Sequence, residues 1–279
     1  MTKNLVAPDQ RGAKTGPSSN RRSFMKRISV AGGGGFLGLS GLVKLASADG
    51  TQSSLVHNVQ DVNILVAAEI AEALAVTTYS NIINVAPFFA NLESDDQGYL
   101  QAARQEEMSH YLLEQSATGK PSPFTSFFYP PNMFADAQTT LNVLVTLEDA
   151  FIAAYLVGVR NFSTPDLRVT AARIMGIESD HRTLARVVGP GVAASDGGPI
   201  ENITGIQGTA ESVDPPNNNG YERTLCWTQI AQAVAALTPF VDAQAAQAAG
   251  FDTTKPFAFE SFTPTLPSAL GEFISFKGC

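Results

Sequence analysis

Residues 105–112 read QEEMSHYL, and residues 176–181 read GIESDH. In each stretch a histidine follows a glutamate by three positions: His110 after Glu107, and His181 after Glu178. On a helix, positions i and i+3 share a face one turn apart, so each pair can aim a carboxylate and an imidazole at one point. The chain has three histidines, the third being His57, and Glu fills 13 of its 279 positions. A glutamate three residues before a given histidine is then roughly a one-in-twenty coincidence, and before two of them roughly one in 400. That rarity makes the two stretches candidates for a paired site.

The surroundings are helical. The run DVNILVAAEIAEALAVTTYSNIIN, from Asp61 to about Asn84, is apolar nearly all round and too long for a strand, so it predicts a core helix. A second helix is expected from Ser94, with Gln97 completing a capping box, to Gln115. The third is expected from Ala137, behind Asp136 as N-cap, to Asn161, and the fourth from Pro165, behind Thr164, to just before Gly189-Pro190. Short links around LESDD (92–96) and Ser163-Thr164 favour antiparallel neighbours within each pair. The Pro-rich stretch 117–136 supplies one long crossover between the pairs. The predicted fold class is all-α, a four-helix bundle with one long crossover.

The first and third helices lack histidine, yet each buries glutamate in an apolar run: Glu69 and Glu72 in one, Glu148 in the other. Tyr79 stands seven residues after Glu72, and Tyr155 seven after Glu148. Along four helices the order is therefore Glu-x6-Tyr, Glu-x-x-His, Glu-x6-Tyr, Glu-x-x-His, an internal duplication in which each pair supplies half a site. Matching LVAAE to LVTLE would select Glu69 instead; the tyrosine spacing favours Glu72. Four carboxylates buried without compensation would be strongly unfavourable, and two divalent cations would cancel their charge. The tyrosine hydroxyls are expected as supporting partners of the glutamates. Glu106 and Glu114 are expected to be solvated or supporting, and His57 to be a loop histidine.

These motifs, with the opening helix DVNILVAAEIAEALAVTTY, resemble the ferritin-like superfamily of di-iron and di-manganese carboxylate proteins, in particular its desiccation-related branch. The resemblance spans residues 57–188. It implies metal ligation by Glu72, Glu107, His110, Glu148, Glu178 and His181. It further implies two divalent ions, iron or manganese, and an oxidoreductase of ferroxidase, peroxidase or catalase-like type acting on O2, peroxide or ferrous iron. A homo-oligomer is compatible with it. The alternative is a non-catalytic stress-related structural protein that keeps the fold. Oxygen and imidazole donors do not select between iron and manganese.

Residues 1–48 resemble a twin-arginine signal peptide: Arg21 and Arg22 in NRRSFMKR, a Gly-rich weakly apolar run, then Ala46-Ser47-Ala48. A periplasmic or extracellular site is expected, with the membrane met only through that segment. Of 18 Lys+Arg and 26 Asp+Glu, eight and one precede Asp49, so the remainder carries ten basic and 25 acidic residues, a net of −15. Such a surface repels phosphate backbones and disfavours a nucleic-acid partner. Cys226 and Cys279 could pair in an oxidising compartment. Residues 189–279 are expected to form a Gly/Pro/Asn-rich loop (189–221), one fifth helix from about Glu222 to Ala249, and an irregular Phe-rich tail strapped across the bundle.

Overall fold

The computed structural model describes residues 58–188 and 225–265. The signal-like segment 1–48, His57, the loop 189–221, the expected helix start at Glu222, Phe273, Phe276 and Cys279 lie outside the described residues.

Four long helices form the body: α1 (Val59–Asn84), α2 (Ser94–Thr118), α3 (Ala137–Asn161) and α4 (Pro165–Val187). The Asn58 side chain caps α1 by accepting from the Asp61 amide at 2.9 Å. Asp136 does the same for α3 through Thr139, and Thr164 for α4 through Leu167, just ahead of Pro165. The start of α2 differs from expectation. Ser94 is already its first helical residue, behind Glu93, and no side-chain cap forms; Gln97 instead donates to the Leu92 carbonyl at 2.9 Å. Asp95 and Asp96 occupy that first turn, where carboxylates face the positive end of the helix dipole. Gly119, at φ 71°, closes α2 in the left-handed conformation that glycine adopts without strain.

The three-residue link Phe162–Thr164 between α3 and α4, which pack along each other, leaves antiparallel packing as the solution. A short link with a 3-10 turn at Phe89–Asn91 likewise folds α2 back on α1. Helices α1 and α3 are apolar enough to cross a membrane on composition alone, but most of their residues are buried inside the bundle. The fold is an all-α four-helix bundle with one long crossover and a small annex.

The annex departs from the expected single helix and irregular tail. Two helices stand there, α5 (Ile230–Val241) and α6 (Ala243–Ala249). Asp242 separates them in an extended conformation and caps α6 by accepting from Ala245 at 2.8 Å, while Pro239 removes a backbone donor from the last turn of α5. Leu225, expected in the helix, precedes it. The Phe-rich tail contributes a strand, β2 (Asp252–Ala258), antiparallel to β1 (Ser126–Tyr129) of the crossover. Tyr129 is the hub of this layer, meeting Phe134, Phe240 and Phe257 edge-on with centroids 5.0, 6.0 and 5.3 Å away. Beyond β2 the tail crosses α2: Phe259 meets Tyr111 at 4.8 Å, and the Arg104 guanidinium lies 4.3 Å over the Phe262 ring.

Gly158 leaves no room for a side chain against the α3–α4 link and α4. A Cβ there would lie 2.8 Å from Phe162 Cε2 and 3.3 Å from Ala171 Cβ. Gly158→Val should therefore lower the unfolding free energy by about 2 kcal/mol. Gly158→Ala should lose less, because the helix gains roughly 1 kcal/mol in propensity. Denaturant midpoints check both, and a valine variant as stable as the wild type would contradict the packing.

Candidate metal centre

The middle of the bundle holds ionisable side chains where apolar ones would pack without penalty. Glu72, Glu107, Glu148 and Glu178 are all at most 2 % exposed, and His181 is 3 % exposed. The structure brings the six expected ligands together in two groups. One is Glu72, Glu107, His110 and Glu178; the other is Glu107, Glu148, Glu178 and His181. Within each group the ligand atoms lie within 4.8 Å of one another.

Glu107 and Glu178 belong to both groups, and their oxygens divide between the histidines. His110 Nδ1 lies 3.4 Å from Glu107 Oε2 and 3.2 Å from Glu178 Oε1. His181 Nδ1 lies 2.9 Å from Glu107 Oε1 and 3.6 Å from Glu178 Oε2. Each of these carboxylates thus spans two positions, the arrangement of a bridging ligand, while Glu72 and Glu148 each serve one.

Glu72 and Glu148 are aimed by tyrosines, but not by those of their own helices. Tyr79 of α1 donates to Glu148 Oε1 of α3 at 2.7 Å, and Tyr155 of α3 donates to Glu72 Oε1 of α1. Seven residues forward along α1, from Glu72 to Tyr79, is seven backward along α3, from Tyr155 to Glu148. The helices are therefore antiparallel and related by a pseudo-two-fold axis through the site. The crossed contacts between Glu107-His110 and Glu178-His181 fix α2 and α4 in the same relation.

Glu69 is not part of either group. Its Oε2 accepts from Thr118 Oγ1 at 3.3 Å. One helical turn separates it from Glu72, and that turn carries it to the end of α2.

Sequence reading underrated three neighbours. Glu106, half exposed, places Oε2 2.8 Å from His181 Nε2 and so orients the ring whose Nδ1 faces the cluster. Glu114 is 2 % exposed and its Oε1 lies 2.6 Å from the Tyr155 hydroxyl. With the one phenolic proton directed to Glu72, the Glu114 carboxyl, held protonated mainly by burial, donates this contact. Its signal was available, since it follows Glu107 by seven residues and shares that face of α2. Asp149 pairs in the interior with Arg182 at 3.1 Å, bracing α3 against α4 next to Glu148 and His181.

The electrostatics show a pocket short of positive charge. Burial first, then the charges on Glu107 and Glu178, push Glu72 and Glu148 well above the ordinary carboxylate range. Burial also opposes ionisation of Glu107, but the His181 and His110 imidazoles outweigh it and hold that carboxyl low. Burial disfavours the imidazolium of both histidines, yet Glu72 raises His110 and Glu107 raises His181 well above the ordinary value.

Eight buried atoms face the cluster without a well-aligned hydrogen bond, meeting at most one another: both oxygens of Glu107 and of Glu178, Glu72 Oε2, Glu148 Oε2, and the Nδ1 atoms of His110 and His181. Buried polar atoms left so are rare in proteins, and here all eight are metal-ligating types. Four oxygens and nitrogens per position, with two shared carboxylates, fit a pair of divalent cations.

Residues 60–189 match a family model described as a ferritin-like domain. No curated protein and no solved structure gives a significant match to the chain.

Glu69 offers a test that needs no metal. Burial, partly offset by Thr118, pushes its carboxyl from 4.5 up to about 8. The native state thus keeps a proton that the unfolded chain releases above pH 4.5, so this residue's contribution is intact below that pH and is lost as pH rises through 8. Glu69→Gln should match the wild type near pH 4.5 and exceed its stability by a few kcal/mol, on the order of 3, at pH 9. Denaturant melts across this range check it; a constant difference would show that Glu69 does not titrate on folding.

Proposed function

We propose that this ferritin-like bundle holds two divalent metal ions, iron or manganese, in redox chemistry on O2, H2O2 or Fe(II), in an exported protein that protects against oxidative or desiccation stress. The observation that carries the reading is the set of eight buried ligating atoms without a well-aligned hydrogen bond, in two groups that share Glu107 and Glu178. Four carboxylates against two divalent cations make a neutral interior, which removes the penalty of burying the charges singly. When bound, such a metal pair supplies electrons to, or takes them from, an oxygen species.

The chain's own residues set the conditions for that chemistry. Glu107 and Glu178 fix the spacing of the two positions, because each has one oxygen at His110 and the other at His181. Tyr155 and Tyr79 hold one oxygen of Glu72 and of Glu148 by donated hydrogen bonds, leaving the other oxygen turned to the cluster. The buried core around the site, with Leu74, Tyr79, Met108 and Leu144 all at most 1 % exposed, excludes bulk water. Protons on Glu72, Glu148 and the histidines occupy the place of the cations, so loading should release them and affinity should rise with pH.

The signal-like N-terminus with Arg21 and Arg22 supports placing the protein in the periplasm or outside the cell. The twin-arginine route carries folded proteins, which suits a chain loaded with metal before export.

Metal analysis of protein taken from its native compartment, with the Glu107→Ala/Glu178→Ala double variant alongside, tests the reading. Two equivalents of iron or manganese are expected in the wild type and well under one in the variant. Added metal should stabilise only the wild type, by about 4 kcal/mol at a thousandfold excess over Kd. A metal-free native protein whose stability ignores added metal would favour the non-catalytic structural role. Following H2O2 and Fe(II) consumption by the loaded protein separates catalase-like from ferroxidase activity.

A further inference from the structure

Beside the carboxylate cluster, the four long helices leave a largely apolar cavity lined by Leu65, Ala68, Leu113, Ala154, Leu167 and Ile174, with Tyr155, Glu114 and Thr170 as its polar members. Tyr155 is the residue whose hydroxyl donates to Glu72, so one aromatic ring separates the cavity from the cluster.

The pseudo-two-fold axis supplies a control. The relation that takes Glu72 to Glu148 takes Ala68 to Leu144, and the one that takes Tyr155 to Tyr79 takes Ala154 to Thr78. Leu144 is 1 % exposed and Thr78 fully buried, and Tyr129 stands against Thr78 with its hydroxyl 2.9 Å from Oγ1. Glu114 corresponds to Ala185. In the second half, then, larger side chains and the crossover strand fill the space that two alanines leave in the first.

The volume, about 20 Å3, takes one very small molecule, since a water needs roughly 10–15 Å3 on the same measure. The wall is apolar except for Glu114, whose buried Oε2 has no partner, and Thr170; water requires two to four partners, so the wall favours an apolar guest. The geometry points to a docking pocket for dioxygen, one tyrosine ring from Glu72, on one side of the cluster. Its purpose rests on the redox reading of the metal centre; its occupancy does not. Ala68 and Ala154 leave the room, and Tyr155 forms the wall between guest and ligand.

Crystals of the full chain under several bar of xenon, an apolar probe, test the occupancy without metal. An anomalous xenon peak is expected between Ala68, Ala154 and Ile174, and it should vanish in Ala68→Leu, which copies Leu144. Ala154→Leu serves the same purpose should the first variant fail to fold. In the metal-loaded protein the filled variant should raise the KM for dioxygen about threefold or more with kcat little changed. A wild-type cavity without xenon, xenon undiminished in a folded filled variant, or a dioxygen KM unmoved by filling would each overturn the proposal. The xenon result holds whether or not the loaded protein consumes dioxygen, which separates failure of the pocket from failure of the redox reading.

Discussion

Four carboxylates gathered in an apolar interior are the constraint on which the rest of the structure depends. Each would be expensive to bury alone. The bundle tolerates them by crossing its supports: the tyrosine of one helix donates to the glutamate of the opposite helix, and each histidine faces both shared carboxylates. The polar contacts thus run between helices, and the same contacts that aim the site also set the axial register of the bundle. A slip of one turn between α1 and α3 would leave a tyrosine hydroxyl and a carboxylate unpaired at once.

Duplication explains the economy of this design, and its departures from symmetry show where the halves have diverged. Helix pairs α1-α2 and α3-α4 repeat the same ligand pattern, yet the surroundings differ. One half carries the additional buried glutamates 69 and 114, where the other has Val145 and Ala185. One half is sealed by the crossover strand through Tyr129, whereas the other borders a cavity. Two positions with the same inner ligands therefore sit in unequal dielectric and steric environments.

The four long helices and the residues that converge between them were legible in the sequence because both depend on periodicity within a helix. Glu-x-x-His and Glu-x6-Tyr state which side chains share a face, and the long apolar runs state which helices are central. What the sequence withheld depends on contacts between elements. Intrahelical spacing places Tyr79 beside Glu72, but only antiparallel packing sends its hydroxyl to Glu148. Glu114 reads as either solvated or supporting, and the contact with Tyr155 from α3 decides between the two. The Asp149–Arg182 pair joins two helices whose register no local motif encodes. Likewise the run 222–249 looks continuous by composition, and the break at Asp242 emerges from a cap that completes only with the turn into α6. The strand in the tail has no local alternation to announce it, because its partner β1 lies in the distant crossover.

That pairing has a consequence for how the chain is made. Strand β1 ends at Tyr129, and β2 begins only at Asp252. During synthesis the first strand, with the apolar Phe127 and Tyr129, emerges long before the segment that covers it. The four helices that carry the clustered glutamates and histidines are complete by Val187, while the strand that covers the crossover follows only from Asp252. The bundle can gather its carboxylates early, but its apolar flank stays unsealed until β2 has been made, so a product truncated before Asp252 would retain the cluster and expose a sticky edge.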